Sequence, residues 1–384
     1  MKHRFIAKRY WNDVPNAFSE VRATAIGDLI HLTYGDPDFT TSEKILGPAF
    51  DDIRNGHTHY DELCGYTELR DLIAGSLEED YGLKTERENV YVTNGAGHGL
   101  LLALESILDD GDEVIIHEPF YSPYPEQVVM ARGVPVFVAT YEEDGFELKA
   151  EDLEKKITNR TKALIINNPN NPTGATFSRK SLEGIADVAK KHDLVVICDA
   201  AYTSLNYDEP YTPIAALEGM GERTVTLFSA SKEYAMSGWR VGFNHAPEFL
   251  VHRMQRVNEN DSIMASSIAQ RAYIHAIKNR KEIRRELADI FKERVEYAYG
   301  RISAMNKIHA LPPHATFYLF PNIKDTGLSS REVADRLFET THVAVFAGSF
   351  FGDSGEGYLR ISCTQNMDVL KDAFDRIDGT GIFG

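Results

Sequence analysis

From about residue 89 onward the chain alternates short apolar runs with amphipathic stretches. The runs at 90–93, 114–117, 135–139, 163–167, 194–199 and 224–228 are each four to six residues long and rich in β-branched side chains. That length and composition predict strands. Because the runs are nearly continuous rather than alternating, the sheet they form is expected to be largely parallel and covered by helices on both faces. The stretches between them carry a helical period. In 181–192, for example, Leu182, Ile185, Ala186 and Ala189 fall on one face, as a helix lying on a sheet requires. The predicted class is α/β.

Beyond residue 267 the pattern changes. A long charged helix is expected over 276–298, then short strands near 316–320, 343–346 and 358–362, with a helix at 330–340 between the first two. This predicts a smaller α+β domain. No linker rich in Pro, Gly or Ser separates the halves, so they are expected to pack together. Internal repeats and heptads are not seen.

In an open parallel sheet, ligands bind beyond the carboxyl ends of the strands, and polar clusters fall there. Asn94-Gly95-Ala96-Gly97 follows the first run and Glu118-Pro119-Phe120-Tyr121 the second. Asn168-Pro169-Asn170-Asn171-Pro172-Thr173-Gly174 follows the fourth, Asp199-Ala200-Ala201-Tyr202 the fifth, and Ser229-Ala230-Ser231-Lys232 the sixth.

Composition narrows the classes. The 384 residues are 43% hydrophobic and 26% charged, ordinary for a globular protein and ample for two domains. A formal charge of -17 speaks against a nucleic-acid or anionic-membrane partner, both of which need a basic surface. Cys64, Cys198 and Cys363 are odd in number and far apart. They match neither a disulfide framework nor a zinc site and point to a reducing compartment. The first twelve residues mix basic and aromatic side chains without an apolar centre, unlike a secretory signal. No apolar run is long enough to span a bilayer. A cytoplasmic location is expected.

Taken singly, the polar clusters have bland readings. Gly95-Ala96-Gly97-His98-Gly99 could hold a phosphate on free helix N–H groups or could be a plain turn. A dinucleotide fingerprint would want glycine where Leu100 stands. Asp199 could be a helix cap, Lys232, Arg240 and Arg360 surface cations, and Tyr121 packing. His57 and His59 lack an accompanying carboxylate motif, and no metal site is assigned.

Together the clusters closely resemble the fold-type I, class I/II aminotransferases. The resemblance rests on Asn171-Pro172-Thr173-Gly174, Asp199-Ala200-Ala201-Tyr202, Ser229-Ala230-Ser231-Lys232 and Ser237-Gly238-Trp239-Arg240. It starts at Gly35-Asp36-Pro37-Asp38-Phe39, passes through Tyr60 and Gly65, and ends at Gly348, Phe351-Gly352 and Tyr358-Leu359-Arg360-Ile361-Ser362. It implies a large cofactor-binding domain over 44–275 and a small domain formed by 1–43 and 276–384.

It also implies pyridoxal 5'-phosphate as cofactor and a role for each residue. Lys232 would hold the cofactor as a Schiff base, and its freed amine would move the proton between the substrate Cα and the cofactor. Asp199 would pair with the pyridinium nitrogen, while Asn171 and Tyr202 would bond the ring's phenolic oxygen. The phosphate would lie on the Ala96 and Gly97 N–H groups with Ser229, Ser231 and Arg240. Tyr121 would stack on the ring. Arg360 would grip the substrate's α-carboxylate in a fork that lysine cannot form, with Gly35 letting the backbone approach. Tyr60 would reach the neighbouring subunit's phosphate, which implies a homodimer with shared active sites.

Two departures bear on specificity and fold. Ala347-Gly348 stands where many relatives have Pro-Gly, and Gly97 stands where some dicarboxylate-preferring relatives carry lysine. The latter disfavours an aspartate specialist. His98, Phe120, Tyr121 and Tyr124 are candidates for shaping the side-chain pocket or for simple packing. The expected reaction is transamination of an L-amino acid to its 2-oxo acid in a ping-pong cycle. The alternatives are a C–S (β) lyase on the same core and a non-catalytic sensor module. The sensor reading is disfavoured by the acidic charge, because such modules accompany a basic DNA-binding domain.

Overall fold

The computed structural model describes residues 2–11, 27–208 and 210–384. Parts of the first-twelve-residue stretch and of the 1–43 segment therefore lie outside the described residues. In chain order the strands are β1 (Ile30–His31), β2 (Val90–Thr93), β3 (Glu113–Glu118), β4 (Val134–Ala139), β5 (Thr161–Asn167) and β6 (Val195–Asp199). They continue with β7 (Thr224–Ser229), β8 (Gly242–His245), β9 (Tyr318–Leu319), β10 (Val343–Ala344), β11 (Phe346–Ala347) and β12 (Leu359–Ser362). Seven form the central sheet, in the order β2-β8-β7-β6-β5-β3-β4. Only β8 runs against its neighbours; the other pairings are parallel.

All six predicted runs are strands of this sheet, and their continuity has the expected cause. In β5, Ala163 and Ile165 join one apolar cluster with Leu100, Ile116 and Leu250. Leu164 and Ile166 join another with Leu182, Ile185 and Ala189. Successive side chains point to opposite faces, and helices cover both.

The seventh strand, β8, was not legible. Its Gly-Phe-Asn-His sequence has no apolar run, yet every residue is buried. Asn244 donates its amide to the Gly99 carbonyl at 2.9 Å, which pairs its NH₂ inside the core.

The C-terminal part differs from expectation in detail. The helix expected over 276–298 is two helices, Ser267–Lys278 and Arg280–Ser303, meeting at Asn279. The Asn279 side chain bonds the His275 carbonyl at 2.9 Å, a local bond that competes with helix continuation. The strand expected at 316–320 shrinks to β9 because Thr316 has φ +61° and cannot extend. The run at 343–346 divides, β10 pairing with β1 and β11 with β12. β12 also pairs with β9.

We propose that the chain divides near residues 44 and 275, as the sequence suggests. The central sheet draws only on 90–245, whereas the small sheets draw on 30–31 and 318–362. Among the described residues, no helix is long and apolar enough to cross a membrane.

Candidate active site

A cavity of about 320 Å³ opens at the carboxyl ends of the central strands. Its wall includes Gly35, Ala96, Gly97, Tyr121, Asn171, Asp199, Tyr202, Ser229, Ser231, Lys232, Arg240 and Arg360. These are all the site residues expected from sequence except Tyr60. Tyr60 is 78% exposed and does not line the cavity.

One end of the cavity suits an anion. The helix Ala96–Ile107 starts after Gly95, at φ +85°, and no side chain caps it. Its first N–H groups and its dipole are left to attract negative charge. Arg240 sits beside that helix start, since a Cβ on Gly95 would lie 3.0 Å from its guanidinium. Arg240 has φ +56° and bonds the Ser237 carbonyl at 2.8 Å, which fixes the turn that presents it. Ser229 caps the short helix Ala230–Glu233 by accepting from the Ser231 N–H at 3.2 Å.

The floor carries a buried carboxylate. Asp199 ends β6, with Tyr124 donating to it at 2.7 Å and the Ala201 N–H at 3.2 Å. Burial pushes its pKa up, opposed by the Tyr124 bond, the Ala201 N–H and the charge on Lys232. A buried carboxylate of this kind calls for a cationic partner in the cavity.

Lys232 faces it. Burial brings its pKa down to about 8, against Asp36 and Asp199, which raise it, and with Arg360 and Arg240, which lower it. Its amine donates to the Gly35 carbonyl. A lysine shifted this far is a usable nucleophile and base near neutral pH.

The next residue, Glu233, anchors this turn from behind. Its carboxylate accepts from Thr203 Oγ1 at 2.5 Å, the Ser204 N–H at 3.2 Å and Arg284 at 2.8 Å. Thr203 follows Tyr202, so one buried carboxylate ties the Lys232 turn to the Tyr202 turn.

Arg360, 3% exposed, closes the opposite side. It donates to Asn171 Oδ1 at 2.9 Å and to the Thr33 carbonyl, while its Nε has no partner. The rings of Tyr318, Phe351 and Phe346 lie 4.6, 4.9 and 5.0 Å from the guanidinium. Burial pulls its pKa down, with Tyr318 and Tyr202 opposing. An orphaned buried donor on a desolvated cation is suited to a carboxylate. Because Asn171 gives its carbonyl to Arg360, its NH₂ is left to donate elsewhere.

Sequence reasoning missed several contributors. Tyr124 is a candidate for pocket shaping or for packing in the sequence, but it also bonds Asp199. Tyr318 lies within the strand expected at 316–320, and its hydroxyl is 3.3 Å from that of Tyr202. Glu233 drew no role from the sequence. Asp36 lines the cavity and accepts from Ser237 Oγ at 2.5 Å. Asp36 stands in a motif that the sequence offered, but the contacts of Tyr124, Tyr318 and Glu233 join residues distant in sequence and leave no local signal.

His98 and Phe120 follow the packing alternative. His98 bonds the Asn94 N–H and Asp261, Phe120 stacks on Phe137, and neither lines the cavity.

Comparison with known proteins bears on these features. Residues 27–377 match the model of the family described as aminotransferase class I and II. The chain is 39% identical to the aromatic-amino-acid aminotransferase 2 of Thermococcus litoralis, over 94% of this chain and 95% of that protein. It is 38% identical to an aspartate aminotransferase of Pyrococcus abyssi, with the same coverage of each. Among solved structures, the aromatic aminotransferase from Pyrococcus horikoshii superposes with a TM-score of 0.89 at 38% identity, covering 92% of this chain and 95% of that one. The Thermus thermophilus aspartate aminotransferase with maleate gives 0.91 at 32% identity, covering 97% and 98%.

Proposed function

Since the chain belongs to the class I and II aminotransferase family and is an aminotransferase, we propose that Lys232 holds pyridoxal 5'-phosphate and that an uncharged L-amino acid is its substrate. The residues present fit that cofactor. An uncapped helix start beside Arg240 suits the phosphate, and the buried Asp199 suits a protonated ring nitrogen. When bound, the cofactor supplies an electron-withdrawing ring that stabilises negative charge at the substrate's Cα.

The side chains would do the rest. Ala96 and Gly97 N–H groups, Ser229, Ser231 and Arg240 hold the phosphate. Asp199 keeps the ring nitrogen protonated, and Tyr121 packs on the ring face. Asn171 and Tyr202 donate to the phenolic oxygen. Arg360 fixes the substrate's carboxylate, so that the Cα hydrogen faces the Lys232 amine, which removes and returns that proton.

The observation that carries this reading is the placement of Lys232, Asp199 and Arg360 on three walls of one cavity. The preference for an uncharged side chain rests on the aromatic surface offered by Tyr34 and on Gly97 standing where some dicarboxylate-preferring relatives carry lysine. Tyr60, exposed and outside the cavity, would complete the phosphate site of a second copy in a homodimer. Three unpaired cysteines accord with a cytoplasmic location.

A half-reaction screen tests the proposal. The yellow holoenzyme is mixed with single amino acids, and conversion to the pyridoxamine form is followed by absorbance. Phenylalanine or tyrosine should convert it faster than aspartate. If no amino acid converts it while cystathionine yields pyruvate and ammonia without an acceptor, the transaminase assignment fails.

Arg360→Lys is expected to lower kcat/KM by about 10- to 100-fold, mostly through KM. One ammonium cannot reproduce a fork of charge-assisted bonds each contributing about 1.5–3 kcal/mol. Steady-state kinetics at saturating 2-oxo acid check this, and an unchanged KM would place the carboxylate elsewhere.

A further inference from the structure

The hydroxyl of Tyr318 occupies space that the rest of the site keeps clear for it. A Cβ on Gly35 would lie 1.6 Å from that oxygen. Any larger residue at 35 would therefore expel Tyr318, quite apart from substrate access. The tyrosine is 2% exposed. It is set by the preceding turn, in which Thr316 holds φ +61°, an unusual conformation for a buried β-branched residue. Thr316 Oγ1 accepts from the Tyr318 N–H at 3.0 Å, and Tyr207 donates to the Thr316 carbonyl at 2.5 Å. The result places the Tyr318 hydroxyl 3.3 Å from that of Tyr202 and its ring against Arg360. Arg360, Asp36, Tyr121 and Asp199 are the titratable groups around this pair.

Tyr202 has one proton to give. If that proton is spent on Tyr318, Tyr202 can offer only a lone pair to the cofactor's ring oxygen. If Tyr318 donates instead, the Tyr202 proton is directed into the cavity, and accepting a bond makes Tyr202 a stronger donor. An electron-rich phenolic oxygen in the cavity selects the second arrangement.

We propose that Tyr318 is a positioning residue with two separable tasks: its hydroxyl orients the Tyr202 proton toward the cofactor's ring oxygen, and its ring braces Arg360 for the substrate carboxylate. This rests on the cofactor reading given above. The hydroxyl task acts on the pH at which the cofactor–lysine linkage loses its proton. A stronger donor to the ring oxygen competes with that proton and lowers the midpoint. The ring task acts on carboxylate binding alone.

The test is an absorbance pH titration of the loaded protein, together with KM, for wild type, Tyr318→Phe, Tyr318→Leu and Tyr202→Phe. Tyr318→Phe removes one oxygen and keeps the ring. Its midpoint should rise by about 0.3 pH units with KM changed less than about twofold. Tyr318→Leu should show the same rise and also raise KM about tenfold as the cation–ring contact is lost. In a Tyr202→Phe background, Tyr318→Phe should add no further shift, because the effect passes through Tyr202. A Tyr318→Phe titration matching wild type, or a shift that persists without the Tyr202 hydroxyl, overturns this inference alone. A wild-type protein with no such titration overturns the cofactor reading and this inference with it.

Discussion

Lys232→Ala is expected to lower turnover by about 10⁴-fold or more, because it removes both the covalent attachment and the base at the substrate's Cα. The amine sits in the cavity with its pKa brought down to about 8, so about a tenth of it is unprotonated at pH 7. In the cofactor-free protein, condensation with pyridoxal phosphate should accelerate as pH rises through about 8 rather than near the ordinary lysine value. The sign follows from the charge. Below that pH the ammonium has no lone pair, and above it the amine is free. Stopped-flow absorbance at several pH values reads the second effect, and coupled assay of the 2-oxo acid reads the first. Residual turnover within about tenfold of wild type would remove Lys232 from the chemistry.

Asp199→Asn has the next largest expected effect, about 10³-fold on kcat. The carboxylate is buried and held by Tyr124 and the Ala201 N–H, so an asparagine fits the same space. What it lacks is the charge that keeps a ring nitrogen protonated. Removing one member of a buried charge pair costs about 3–5 kcal/mol, and each 1.4 kcal/mol is tenfold in rate. The thermal midpoint of the cofactor-free variant should not fall, since burial already pushes the carboxyl toward its neutral form. Single-turnover kinetics alongside a melting curve separate the two. A variant that keeps its rate would mean that the ring nitrogen is satisfied elsewhere.

The fold was legible where one physical cause dominated. The six apolar runs of the central sheet were readable because burial on both faces leaves no room for polar residues, as Leu164 and Ile165 illustrate from opposite sides of β5. β8 was not readable, because the buried NH₂ of its polar Asn244 pairs with a backbone carbonyl from a distant helix. The limits of β9 were not readable either, since they depend on the conformation of Thr316 rather than on its side chain. The site divides in the same way. Lys232, Asp199 and Arg360 lie in motifs that announce chemistry, whereas Tyr124 and Tyr318 acquire their importance only from what lies across the cavity. The relatives' names are divided between aromatic and aspartate substrates, and the motif residues are silent on that choice.

The shared anchor behind the site has a consequence for how the sequence can vary. Glu233, Thr203 and Arg284 form one bonded group, with Arg284 also bonded to Asp80 at 2.8 Å, and loss of any single member leaves a buried charge or acceptor with fewer partners. Their tolerated substitutions should therefore be strongly epistatic. Changing Glu233 to an apolar residue is expected to be damaging alone and far milder once Arg284 is apolar too. A mutagenesis library that randomises these positions one at a time would score each as indispensable. Varied jointly, they would show solutions that no single-step path reaches.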